Sequence, residues 1–517
     1  MILKEILRKK YFAGLVIAIA GITIFSFSIK ISFFGDEIAF IKRNRVTSVT
    51  EAFNLFNKKD YDGEYYRPIV NFTSGIITSI FEYNAPLYRI FNLILHTVNA
   101  ILLYFLALMV LRNSDKKEII ALMSGLFFVV FPLHDLAVIW HTDLTDRLMF
   151  TFFTTSLIFF IKEFKPTFLS LLFFMLSLLS KEMAFSLPLI IWSSSVLLNN
   201  DKVKDGFIKS LPYFLISLII VLTRIIIFNN NIFSETTLHS GYGLVSILRN
   251  YVMFIGLLLF PFFNYTIQTF VKNNILLITI PAIVFAGIII SYLYKNYKAD
   301  KIFIFLIIFI IITILPASRL LMKWYLYLPS AGFTIAINYL LFNASAQLRI
   351  RSAAACLILI TYSLSLVVTQ SNWISVTSRA DQILTDFVDE NYDFIKSKND
   401  VIILTIPGKV NNYPVLQLNF EEHLRHYLGM NKKIEVLSRS SVTNFNDEIS
   451  MTKSDSFIFL IQTKDNYFTL FGYEKNIKFI DSDFENGLLK RIRIEKVFNP
   501  NDAVFYFTNG KFKRAMQ

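Results

Sequence analysis

The chain has one cysteine, Cys356, and it lies inside an apolar run. This excludes an internal disulfide and any metal site built on cysteine. No small-residue cleavage site follows the first apolar stretch, which runs on into Ser26-Phe27-Ser28-Ile29-Lys30. The basic segment carrying Lys4, Arg8, Lys9 and Lys10 therefore reads as the cytoplasmic flank of an uncleaved span, not as a signal peptide. No 34-residue repeat is visible in the last ~140 residues, so a helical-repeat array is not expected there. His134-Asp135 is not joined by further ligands at recognisable spacing, so the sequence assigns no metal-ligand set and leaves dependence on a divalent metal open.

Charged residues make up only 17% of the chain, whereas 54% is hydrophobic and the mean hydropathy is +0.52. Soluble domains are usually about 45–50% apolar. Repeated apolar runs of about 17–25 residues read as transmembrane helices. The abundant Phe (54) and Tyr (24) fit lipid-facing bulk and interfacial belts. In a soluble protein the net charge of +13 would point to nucleic acid. Here Lys and Arg fall between the spans and set orientation, so no nucleic-acid partner is expected.

The predicted fold is a polytopic α-helical membrane protein with about 11 spans and a small C-terminal α/β domain. Spans are expected at 11–29, 86–111, 119–132, 144–161, 166–181, 183–198, 211–228, 275–294, 302–315, 328–342 and 353–368. Pro68 should start an interfacial or re-entrant helix over 68–81. The stretch 244–265 has span length. It is read as re-entrant, because otherwise the basic cluster Lys295-Asn296-Tyr297-Lys298 would fall outside. The N-terminus is then cytoplasmic, in what should be a bacterial inner membrane. Residues 1–372 form the membrane domain, with a first outer loop at 31–85. Residues 373–517 form an extracytoplasmic domain, with helices at 378–395 and 420–428 and strands at 401–404, 434–437 and 457–461.

One stretch organises the functional reading. Phe33-Phe34-Gly35-Asp36-Glu37 follows the first span, so two adjacent carboxylates stand where the membrane meets water. A shielded carboxylate there can take a proton from a hydroxyl. The alternative is a solvated acidic loop. The expected topology gathers Asp36, Glu37, Arg67, His134, Asp135, Asp143, Asp146, Arg147, Lys181, Glu182, Arg319 and Lys323 at one membrane face, with His96 a few turns into the second span. Acids able to act as bases are mixed with cations able to seat a phosphate. Structural readings stand beside these. Arg67, Arg147 and Arg319 suit snorkelling anchors. His96 suits a bond to a neighbouring helix. Lys181-Glu182 suits an ion pair at a helix end.

Six motifs occur in a familiar order. They are Gly35-Asp36-Glu37-Ile38-Ala39-Phe40-Ile41 with Asn44, then Tyr66-Arg67-Pro68, then Asn92-Leu93-Ile94-Leu95-His96 with Asn99. Pro132-Leu133-His134, Leu179-Ser180-Lys181-Glu182 with Pro188, and Tyr325 to Gly332 complete the set. In these the first ~335 residues resemble the GT-C membrane glycosyltransferases. The likeness is greatest to the protein O-mannosyltransferases and the TMTC-like branch with its bacterial relatives. The resemblance implies an inverting transfer of a sugar from a polyprenyl-phosphate donor to a hydroxyl of a protein or glycan on the outer face. It implies Asp36 as base, Glu37 as acceptor placement, and Arg67, His134 and Arg147 at the donor phosphate. Lys181, Arg319 and Lys323 are further phosphate candidates, and His96, Asp135 and Glu182 further site candidates. The chain departs from the family at Leu136, where an acid is frequent, and at Trp324, where Arg is usual. The competing classes are a flippase for the lipid-linked sugar and an inactive scaffold. A transporter would show internal repeats and helices broken near the midplane. The polar residues here gather at one face instead.

Overall fold

The structure, a computed structural model, describes residues 10–57, 65–227, 243–262, 287, 300–343, 347–407, 410, 413–416, 419–436, 449–455, 458–463, 478–485, 488–495 and 501–515. The chain falls into two compact units. One comprises Met1–Ile29 and Asn44–Gln370, the other Lys30–Arg43 and Ser371–Gln517.

The first unit is helical. Among the described residues, five helices are long and apolar enough to cross a membrane: Tyr11–Lys30, Ala85–Val110, His141–Glu163, Val203–Ile226 and the first part of Leu348–Ser397. A further apolar pair is bent, and is one broken span or a re-entrant loop. Lys117–Val129 and Pro132–Ile139 meet at 46°, because Phe131 is held extended ahead of Pro132. The segments expected at 166–181, 183–198 and 302–315 form shorter apolar helices, Phe168–Leu178, Glu182–Leu198 and Lys301–Ala317. Turns at Leu179-Ser180 and at Ser318 stop two of them. The expected span 275–294 lies outside the described residues, apart from residue 287. Pro68 does start a helix, Pro68–Phe81, and Leu244–Leu259 is a helix of 16 residues.

Apolar side chains of these helices pack into one core that reaches from Ala13 and Phe25 to Phe309, Tyr327 and Tyr362. The helix Pro329–Asn343 crosses Lys301–Ile314 closely at Gly332. A Cβ there would stand 2.7 Å from the Phe309 ring, so the last glycine of the Tyr325 to Gly332 motif has a packing reason.

The second unit is α/β. The helix Leu348–Ser397 carries on for 50 residues instead of ending with its apolar part. It has no proline or glycine to stop it, and so the polar helix expected at 378–395 is its continuation. After it come β1 (Val401–Ile403), the helix Phe420–Leu428 and β2 (Ile434–Val436), with β7 (Ala503–Thr508) and β8 (Lys511–Arg514) at the end of the chain. These strands form a sheet ordered β2-β1-β7-β8, with β1 parallel to both neighbours and β8 antiparallel. Three of the four strands are fully or largely buried apolar runs, as parallel strands covered on both faces should be. A second, antiparallel sheet is ordered β3-β4-β6-β5, from Ile449–Asp455, Ile458–Thr463, Leu488–Glu495 and Lys478–Glu485.

Candidate active site

In the first unit the polar candidates collect at turns between helices. Glu182 lies just after the break that ends Phe168–Leu178. Its two carboxylate oxygens each take a guanidinium, Arg67 Nη2 at 2.8 Å and Arg224 Nη1 at 3.2 Å. Arg67 also stands over the Tyr65 ring at 4.3 Å. Arg224 donates to the Tyr66 and Leu178 carbonyls at 3.3 and 3.4 Å, tying the Tyr66-Arg67-Pro68 turn to the Lys181-Glu182 turn. Sequence reading missed Arg224. The signal was there: an arginine inside an otherwise apolar run is costly unless it has a partner.

The adjacent Lys181 points the other way. It is buried, pairs with Asp146 Oδ2, lies 3.9 Å from Asp143 Oδ1 and faces the Tyr325 ring at 4.8 Å. Tyr325 shares a short 3-10 turn with Lys323, whose ammonium meets Asp135 Oδ2 at 2.7 Å. Three ion-paired clusters therefore adjoin, two through the consecutive Lys181 and Glu182 and the third through the 3-10 turn that carries Lys323 and Tyr325. Asp135 takes up Lys323, so that ammonium is already paired within the protein.

The remaining candidates sit differently. Arg147 is fully buried and spends its guanidinium on Asn92 Oδ1 at 2.8 Å and on the carbonyls of Ala137, Trp140 and His141. It thus binds carbonyls at and just after the end of the short helix Asp135–Ile139. His134 donates from Nδ1 to the Phe128 carbonyl at 2.9 Å, and its Nε2 lies 2.9 Å from Ser330 Oγ. His96 lies 2.8 Å from the Tyr327 hydroxyl and 3.1 Å from the Val129 carbonyl, edge-on to His134. Both imidazoles thus use both ring nitrogens on the protein. The arrangement fits the reading of His96 as an interhelical bond. Arg319 is exposed, and its carbonyl accepts from Asn250.

Asp36 and Glu37 belong to the second unit. Both are buried. Gly35 adopts φ +64°, a conformation glycine takes without strain. The turn it makes starts the helix Glu37–Asn44, and Glu37 reaches back to accept the Phe34 N–H at 3.0 Å. A carboxylate in a first turn is favoured by the helix dipole. Asp36 accepts from the Phe40 N–H through its carbonyl at 2.8 Å.

With this geometry in hand, the chain was compared with known proteins. No family model matches it, and no curated protein does. Solved structures do. ArnT from Cupriavidus metallidurans in the apo state aligns with 81% of this chain and 85% of its own, at a TM-score of 0.50 and 12% identity. The chain has a GT-C-like fold. Two further structures lie lower on the same scale. ArnT from Cupriavidus metallidurans bound to undecaprenyl phosphate has a TM-score of 0.47 at 11% identity, over 82% of this chain and 86% of that one. The Archaeoglobus fulgidus oligosaccharyltransferase in complex with Zn and sulfate has 0.43 at 11%, over 82% and 62%. The first unit of this chain breaks its helices at short 3-10 turns. Its polar residues occupy the breaks, where an unsatisfied backbone needs partners anyway.

Proposed function

We propose that the protein is a membrane glycosyltransferase that moves a sugar from a polyprenyl-phosphate donor to a hydroxyl of a protein or glycan outside the cytoplasm. The observation that carries this reading is the pairing of Arg67 and Arg224 on the single carboxylate of Glu182, beside Lys181. Two guanidiniums on one carboxylate leave an excess of positive charge at a turn joining apolar helices. A lipid-linked phosphate meets such a seat at headgroup level, and guanidinium forks match its oxygens. The acceptor oxygen attacks the anomeric carbon as the bond to the phosphate oxygen breaks, inverting that carbon. Asp36 takes the hydroxyl proton and the polyprenyl phosphate leaves with the bonding pair. Arg67, with Arg224 and Lys181, stabilises the charge growing on the leaving oxygen.

Arg67→Ala should weaken donor binding as well as rate, by about 10-fold or more, the worth of a charge-assisted bond. Purified protein in lipid with a labelled polyprenyl-phosphate sugar measures both. Unchanged donor affinity would remove Arg67 from the phosphate seat. Net movement of intact donor across the bilayer without transfer would favour a flippase. The reading also requires the C-terminal domain to lie outside the cytoplasm. A reporter active only in the cytoplasm, fused after Gln517, should stay silent.

A further inference from the structure

Gly35 is held at both its backbone groups by the C-terminal part of the chain. Its N–H donates to the Val415 carbonyl at 2.8 Å, and its carbonyl accepts from His423 Nε2 at 3.0 Å. His423 lies 388 positions away, on the helix Phe420–Leu428, and is 2% exposed. Burial pushes its imidazole down to about 4, against the upward pull of the Gly35 bond, with His426 and Glu422 as the charged groups beside it. The ring is therefore neutral at pH 7. Its single N–H sits on Nε2, because a carbonyl accepts only from a protonated nitrogen. Two more contacts hold this turn and the helix that follows it. Phe34 packs on Trp373 with ring centroids 4.4 Å apart, and Lys42 pairs with Glu422 at 2.9 Å.

The Gly35 carbonyl and the Asp36 N–H share one peptide plane. Holding that carbonyl fixes the plane from which the Asp36 side chain projects. We propose that His423 is a positioning residue that sets the orientation of Asp36 through the Gly35 carbonyl. The C-terminal domain thereby acts in the transfer reaction without touching substrate. The proposal rests on the reading of Asp36 as base. A buried carbonyl robbed of its donor would turn to find another, and the turn would move with it. A shift of about 1 Å in a reacting group can cost about 100-fold in rate.

The test uses the full chain in lipid nanodiscs, comparing His423→Ala with His423→Gln, whose side-chain amide keeps a donor. Hydrogen exchange over residues 33–37 reports the turn itself, and transfer kinetics report the reaction. His423→Ala should raise exchange there about 10-fold or more and lower kcat about 10- to 100-fold, with the donor KM within about twofold. His423→Gln should restore both toward the parent. Unchanged exchange in His423→Ala overturns the proposal, as does unchanged kcat. So does a His423→Gln protein that folds but recovers neither. Failure of the base reading is separate: Asp36→Asn would then keep its turnover, whatever His423→Ala does to exchange.

Discussion

Asp36→Asn is expected to lower turnover by about 10²–10⁴-fold, the usual worth of a positioned general base. A hydroxyl is a poor nucleophile at neutral pH, whereas a polyprenyl phosphate leaves readily once its charge is met. The proton on the acceptor is therefore the part of the barrier that the protein must remove. Asparagine keeps the size of the side chain and the hydrogen bond from Phe40 to the Asp36 carbonyl. It removes only the basic oxygen. The variant should fold like the parent and bind donor within about threefold, because the cations proposed for the phosphate are elsewhere in the sequence. Binding and transfer assays on the same preparation separate the two effects. Near-normal transfer would remove Asp36 as base. Glu37 would be a poor replacement as it stands, since one of its oxygens already accepts the Phe34 N–H.

Much of this was legible in the sequence, for physical reasons that differ from place to place. Long apolar runs must span, so the helices at Ala85–Val110 and His141–Glu163 follow from composition and length. The Gly35-Asp36-Glu37 turn follows from local chemistry: glycine permits the left-handed turn and the acids suit a helix start. Pro68 and Pro132 announce a helix start and a bend in the same way. The alternating run Arg491-Ile492-Arg493-Ile494-Glu495 announces the strand Leu488–Glu495 by its period of two, a signal that the reading passed over. What was not legible is pairing at a distance. Lys181 and Glu182 read as one ion pair, yet each turns to different partners, Asp146 on one side and Arg67 with Arg224 on the other. Adjacent residues in extended backbone, as at Lys181, project to opposite sides. The bond from His423 to Gly35 depends on the whole chain coming back on itself, and no local pattern encodes that.

Lys181→Met is expected to destabilise the first unit by about 3–5 kcal/mol, the cost of stripping one partner from a buried ion pair. Lys181, Asp143 and Asp146 are 4%, 3% and 1% exposed, so water cannot take over for the missing ammonium. The variant leaves the Asp146 carboxylate without its ammonium in a dry site, with the Asp143 carboxyl beside it. Methionine fills the aliphatic volume and keeps contact with the Tyr325 ring, so a packing defect does not explain the loss. Adding Asp146→Asn to Lys181→Met removes the carboxylate that lost its ammonium. The double variant should regain a large part of the stability without regaining the ammonium. Apparent melting temperature and denaturant unfolding in detergent read this directly, and transfer activity reads a second property. Both variants should be poor enzymes if Lys181 helps hold the donor phosphate, but only the single variant should be unstable. A Lys181→Met protein that melts with the parent would mean that the Lys181–Asp146 pair does not hold the fold together. The Lys181-Glu182 motif would then matter to the fold through Glu182 and its two arginines, not through Lys181.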